Sequence, residues 1–190
     1  MLPLSEREKS ALVALARNAV EAAVREGRLP EAIPAEDVFA RPGRAFVTLR
    51  WRGRLRGCIG HIEPPEPLGE CILRAAMGAA LQDPRFRALR PEELVDLRVE
   101  VSVLSQPQLI EPDDIEIGRH GVLVCANGRR GLLLPQVAKE HGFTRERFLE
   151  ETCLKAGLIA TAWRDPVTQV YGFECEVIVE RARSEETPAR

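Results

Sequence analysis

The chain has 190 residues, enough for one domain or two small fused lobes with a real hydrophobic core. It is 45% hydrophobic and 29% charged, a globular rather than a disordered composition, and its formal net charge is -2. That balance gives no bulk attraction to nucleic acid or to an anionic membrane. Arg41, Arg44, Arg50, Arg52, Arg54 and Arg56 do cluster in sequence, and are read as the solvated face of a hairpin. No apolar run approaches the roughly 20 residues that span a bilayer, and the charged start 1–9 has no signal core, so a cytoplasmic protein is expected. The five cysteines (Cys58, Cys71, Cys125, Cys153 and Cys175) are widely spaced without a CxxC pair, the pattern of reduced thiols. His61, His120 and His141 are scattered, so no zinc site built from local ligands is expected.

Ser5 and Glu8 have capping-box spacing, and Leu12, Leu15, Ala16, Ala19 and Ala23 follow at helical period to a stop at Gly27. Pro30, Pro34 and Pro42 make 29–43 a loop with at most one short turn. Ala45, Val47, Leu49 and Trp51 then alternate with Phe46, Thr48 and Arg50, as in a strand. Arg52-Gly53-Arg54 turns the chain, and 55–60 returns as the hairpin partner. Pro67 suits the first turn of a helix whose buried face is Leu68, Cys71, Ile72, Ala75 and Ala79. A strand over 98–104 sets Val99, Val101 and Val103 on one face against Glu100 and Ser102.

The second half opens on another hairpin, 122–126 with 131–134, whose Asn127-Gly128 pair lies in a loop longer than two residues. A short helix over 136–141 precedes one capped by Thr144 that runs to about Ala156. The final strand, 170–179, places Tyr171, Phe173, Cys175, Val177 and Val179 inward and Glu174 and Glu176 outward. Residues 184–190 read as a flexible tail, leaving 1–183 as a single domain, or as two fused lobes. Hairpins mixed with separate helices indicate an α+β fold rather than a regularly alternating parallel sheet.

Leu55-Arg56-Gly57-Cys58-Ile59-Gly60 is where the chain stops being generic. It resembles the signature of the AMMECR domain family, whose bacterial members are called AmmeMemoRadiSam system protein A. Further blocks follow in the family's order: Asp83-Pro84-Arg85-Phe86, 99–104, Gly118-Arg119-His120-Gly121, 134–138, then 155–158 with Trp163. The resemblance covers roughly residues 44–179. It implies an α+β fold with a mixed sheet, packed helices and a smaller lobe beside the main one, and a hexapeptide lying near a cleft. The family's biochemical activity is unsettled, so the resemblance does not say whether the chain is an enzyme. The bacterial name implies a modification pathway shared with Memo-like and radical S-adenosylmethionine proteins. His61 stands where many relatives have a small polar residue.

The residues themselves suggest one candidate site. On a regular strand Arg56 and Cys58 share a face, and a guanidinium beside a thiol favours its anionic, nucleophilic form. Gly57 and Gly60 would let a ligand approach the backbone, which makes Arg56, Gly57 and Gly60 the substrate-binding candidates. Cys58 as nucleophile, His120 as base and Glu100 as orienting group compose a catalytic candidate set. The bland alternatives stand beside it: Cys58 as a small core residue, His120 as a turn cap, and Glu100 on a wet face. No Walker A sequence, no dinucleotide fingerprint and no iron–sulfur ligand cluster is present, so no cofactor is expected and any radical chemistry falls to a partner. Two functions follow, a cysteine-dependent enzyme or enzyme component, or a non-catalytic adaptor that holds a small molecule or peptide in the 55–60 cleft.

Overall fold

The computed structural model describes residues 3–60 and 66–181. His61 and the 184–190 tail lie outside the described residues. The fold is α+β, with helices packed on sheets of antiparallel hairpins. The chain divides into two compact units, Leu2–Val103 with Glu176–Arg190, and Leu104–Cys175.

In the first unit, α1 (Glu6–Glu26) begins with the Ser5–Glu8 capping box and buries Leu12, Leu15, Ala16, Ala19 and Val20. α2 (Asp37–Ala40) is the short turn within the proline-rich loop. The strands are β1 (Pro42–Trp51), β2 (Arg54–Gly60), β3 (Glu66–Pro67), β4 (Leu97–Leu104) and β9 (Cys175–Val179), in the order β2-β1-β4-β9 with β3 beside β1. Ala45, Val47, Leu49, Val99 and Val101 are fully buried in the core that holds α1 and α3 (Leu68–Met77). α3 continues into a wider π-helical turn, Gly78–Gln82. Arg17 of α1 clasps Glu180 just past β9, and Glu180 also accepts the Val99 N–H at 3.0 Å, so an ion pair and a backbone bond tie helix, β4 and β9 together.

The second unit holds β5 (Gln108–Leu109), β6 (Gly121–Ala126), β7 (Arg129–Leu133) and β8 (Gln169–Phe173) in the order β5-β8-β6-β7. α4 (Pro135–Glu140) and α5 (Arg145–Lys155, capped by Thr144) pack on it around Phe148, Leu149, Val122 and Val124.

Two sequence expectations are corrected. The Asn127-Gly128 loop has only two residues, because Ala126 pairs with Arg129 and the ladder runs to the turn. The final strand is not one element: it breaks at Glu174, with β8 in one sheet and β9 in the other. Val170 in β8 and Ile178 in β9 are buried while Val177 and Val179 are 43% and 46% exposed, so the face expected inward is the outer one in β9.

Candidate functional site

β2 ends the sheet path, so among the described residues one of its sides has no neighbouring strand. At Cys58 that side is closed by side chains. The Cys58 N–H donates to Asp83 Oδ2 at 2.8 Å, and the Cys58 carbonyl accepts from Arg85 Nη2 at 3.2 Å. Asp83 and Arg85 thus supply one acceptor and one donor, as an adjacent strand would, and protect an otherwise open edge. Asp83 sits at the end of the π-helical turn with its side chain 2% exposed. It also accepts from Arg85 N, Nε and Nη2 at 3.1, 3.0 and 2.7 Å. The Arg85 hydrogen bonds, against the opposing effect of burial and with help from the Cys58 N–H, hold its pKa at about 2. The guanidinium is pushed the other way, and its side chain stays 55% exposed.

The Cys58 side chain is half-buried opposite Thr48 of β1, whose Oγ1 donates to Sγ at 3.2 Å. The Arg85 guanidinium couples electrostatically to the same thiol. The cation beside Cys58 is therefore Arg85.

Arg56 is occupied elsewhere. The β1–β2 register shifts between Leu49 and Arg50, leaving Arg56 as the extra residue of a β-bulge and out of strict alternation with Cys58. Its Nε and Nη2 grip Glu93 Oε1 and Oε2 at 2.9 and 3.0 Å, and Nη1 donates to the Arg87 carbonyl at 2.8 Å. The two side chains are 10% and 8% exposed, and Arg56 pulls the Glu93 carboxyl below its ordinary value. This buried fork anchors the 87–93 segment to β2. The expectation that Arg56 shares a face with Cys58 as its cation is corrected by the bulge.

The space beside the two glycines is filled by the protein itself. A Cβ on Gly57 would lie 2.1 Å from the Ala79 carbonyl oxygen, and one on Gly60 would lie 2.3 Å from the Phe46 ring. Gly57 lets the π-helical turn rest directly on β2.

Glu100 Oε1 of β4 accepts from Arg50 Nε at 2.9 Å, and β1 lies between β4 and the strand of Cys58. In the second unit, His120 Nδ1 accepts the Glu116 N–H at 3.1 Å while the His120 N–H returns to the Glu116 carbonyl at 3.0 Å. Nδ1 is thus used in closing a turn, and in the neutral ring the proton sits on Nε2. Each of the two has its own partner.

Burial raises the pKa of Cys71, Cys125 and Cys153. Cys175, expected inward, is only half-buried. The residues that sequence reasoning did not connect to Cys58 are Thr48, Asp83 and Arg85. The alternation of 45–51 against 55–60 held the signal for Thr48, while Asp83-Pro84-Arg85 was visible only as a block without a partner.

Comparison with known proteins places the chain in a family. The AMMECR1 family model matches residues 13–178. A protein of Methanothermobacter thermautotrophicus is 46% identical over 188 residues, covering 94% of this chain and 97% of its own. One from Thermococcus gammatolerans is 48% identical over 183 residues, covering 89% and 88%. The crystal structure of an uncharacterised protein from Pyrococcus horikoshii superposes with a TM-score of 0.87 at 40% identity, covering 95% of both chains. The chain belongs to the AMMECR1 family.

Proposed function

We propose that this protein is a cytoplasmic, thiol-centred enzyme component in which Cys58 is the reacting group and Arg85 the cation that steadies charge on its sulfur. The observation that carries the reading is the environment of Sγ: half-buried, hydrogen-bonded by Thr48 at 3.2 Å, and coupled to a guanidinium whose own position is fixed by Asp83. Its place in a modification pathway shared with Memo-like and radical S-adenosylmethionine proteins rests on the family resemblance alone. Among the described residues no helix is long and apolar enough to cross a membrane.

A second reading, an adaptor that binds without chemistry, is favoured by the state of the other polar groups. Arg56, Glu100 and His120 Nδ1 are all engaged by intramolecular partners, which leaves no second proton acceptor beside Cys58 in this set. One experiment separates the two. The chain is incubated with purified Memo-like and radical S-adenosylmethionine proteins, and its cysteine peptides are followed by mass spectrometry. A change confined to the Cys58 peptide and lost in Cys58→Ser supports the enzyme reading. A stable complex that forms equally well with Cys58→Ser, with Cys58 unmodified throughout, supports the adaptor.

A further inference from the structure

The arginines of the β1–β2 hairpin do not all face open water. Arg50, Arg52 and Gly53 from the hairpin, Asp96 just before β4, and Arg98 and Glu100 from β4 line a cleft of about 500 Å³. That volume lies within the range of small-ligand sites, roughly 300–1,000 Å³. The hydrogen bond from the Arg52 N–H to the Asp96 carbonyl, 3.2 Å, fixes the turn against β4 and sets the cleft's width.

We propose that this cleft binds the phosphate group of a small phosphorylated molecule. Arg52 and Arg98 line one space beside Arg50, which Glu100 already holds, in a protein whose net charge is negative. A planar carboxylate is satisfied by one fork, whereas a tetrahedral phosphate accepts from several directions and uses both Arg52 and Arg98. The acidic residues hold their arginines side-on. Asp96 takes Arg52 through Nε at 2.8 Å, and both terminal nitrogens of Arg52 lack a partner among the described residues. Arg98 is exposed and has no ion-pair partner among the described residues. Glu100 takes Arg50 through Nε at 2.9 Å.

The turn supplies a second, independent observation. Arg52 has φ +50 and Gly53 φ +78, the geometry of a tight two-residue hairpin turn that favours Asn, Asp or Gly at both positions. An arginine there is in a conformation few non-glycine residues adopt. The strained position aims a long cation back along the hairpin, with Cζ 4.5 Å from the centre of the Trp51 ring. Asp96 and Glu100 in the same walls repel an extended polyanion, so the occupant is a compact phosphomonoester rather than a nucleic acid.

The test is a titration of the full chain with glycerol 2-phosphate, with inorganic phosphate, and with a single-stranded oligonucleotide. The Trp51 indole and arginine Nε–H signals are followed by NMR. Saturable shifts with glycerol 2-phosphate are expected, with affinity falling by about tenfold in Arg98→Ala and in Arg52→Ala, the loss typical of one charge-assisted hydrogen bond. Arg54→Ala, on the same hairpin but outside the cleft, should bind as the parent does. Equal losses in all three variants would mean diffuse electrostatics and overturn the site. Absence of saturation, or tight binding of the oligonucleotide alone, would overturn the ligand class. Inorganic phosphate competing fully with glycerol 2-phosphate assigns recognition to the phosphate group. If it does not compete, the phosphate assignment fails.

Discussion

In β1–β2 the chain reverses through Arg52-Gly53, with φ +50 and +78; in β6–β7 it reverses through Asn127-Gly128, with φ +50 and +74. Both hairpins then place a glycine on the second strand where backbone packs directly on it. Gly57 meets the Ala79 carbonyl, and Gly131 meets the Thr152 carbonyl and the Ala156 N–H at the end of α5. The β6–β7 hairpin shows what such a glycine does with no candidate site beside it, namely admit a helix end. By that comparison Gly57 is explained by packing, and the departure of β1–β2 from its counterpart lies in three other features. These are the bulge that buries Arg56, the Asp83–Arg85 cover over Cys58, and an arginine where the turn prefers asparagine.

The largest effect should come from the buried fork. Glu93→Ala leaves the Arg56 guanidinium without its carboxylate in a site 10% exposed, a loss of about 3–5 kcal/mol. Urea denaturation read by Trp51, in the same unit, measures it. A loss below about 1 kcal/mol would mean water reaches Arg56.

Next come the two glycines. Gly57→Ala and Gly131→Ala should each cost about 3 kcal/mol, since the obstructing atoms are backbone and cannot swing aside. Gly57→Ala should be the worse of the two, with 2.1 Å against 2.5 Å to the nearest atom. Trp51 reports the first unit and Trp163 the second, so each substitution should move mainly its own tryptophan's transition. A mild Gly57→Ala with a severe Gly131→Ala would break the comparison.

Asp83 gives a smaller, pH-dependent effect. Its folded pKa of about 2 lies below the ordinary 3.8, so its stabilisation is complete above about pH 4 and disappears as pH falls through 2. At neutral pH that difference is worth about 2 kcal/mol, and Asp83→Asn should remove it. The parent and the variant should therefore converge in stability between pH 4 and pH 2. A constant gap across that window would show that the loss is steric.

The smallest effect is at the turn. Arg52→Asn relieves the left-handed arginine but gives up the Asp96 ion pair, for a net gain of about 0.5 kcal/mol or less. The same change should weaken phosphate binding in the cleft.

Local features were legible in the sequence because their causes are local. The Ser5–Glu8 box, the valine alternation in β4 and the Thr144 cap all depend on residues within a turn or two. Family membership was legible because its motif blocks appear in order. The environment of Cys58 was not, because Asp83 is 25 residues further along and Glu93 is 37 residues beyond Arg56. Nothing in the local pattern says which arginine a carboxylate will choose. The bulge removed Arg56 from Cys58, and alternation alone cannot reveal an inserted residue. The break at Glu174 escaped for a related reason: both halves of 169–179 have strand patterns, and only the sheets show that they belong to different units.

The central claim is that Cys58 is a reacting thiol supported by Arg85, and its most direct measurement is the alkylation rate of each cysteine peptide in the native protein at neutral pH. Cys125 and Cys175, also half-buried, serve as internal references. Cys58 should react fastest, and Arg85→Ala should slow it several-fold while leaving the references unchanged; because Asp83 offsets part of the Arg85 charge, an effect of about threefold to tenfold is expected rather than a larger one. A Cys58 that reacts no faster than the references, or equally fast without Arg85, would contradict the account and leave the adaptor reading in its place.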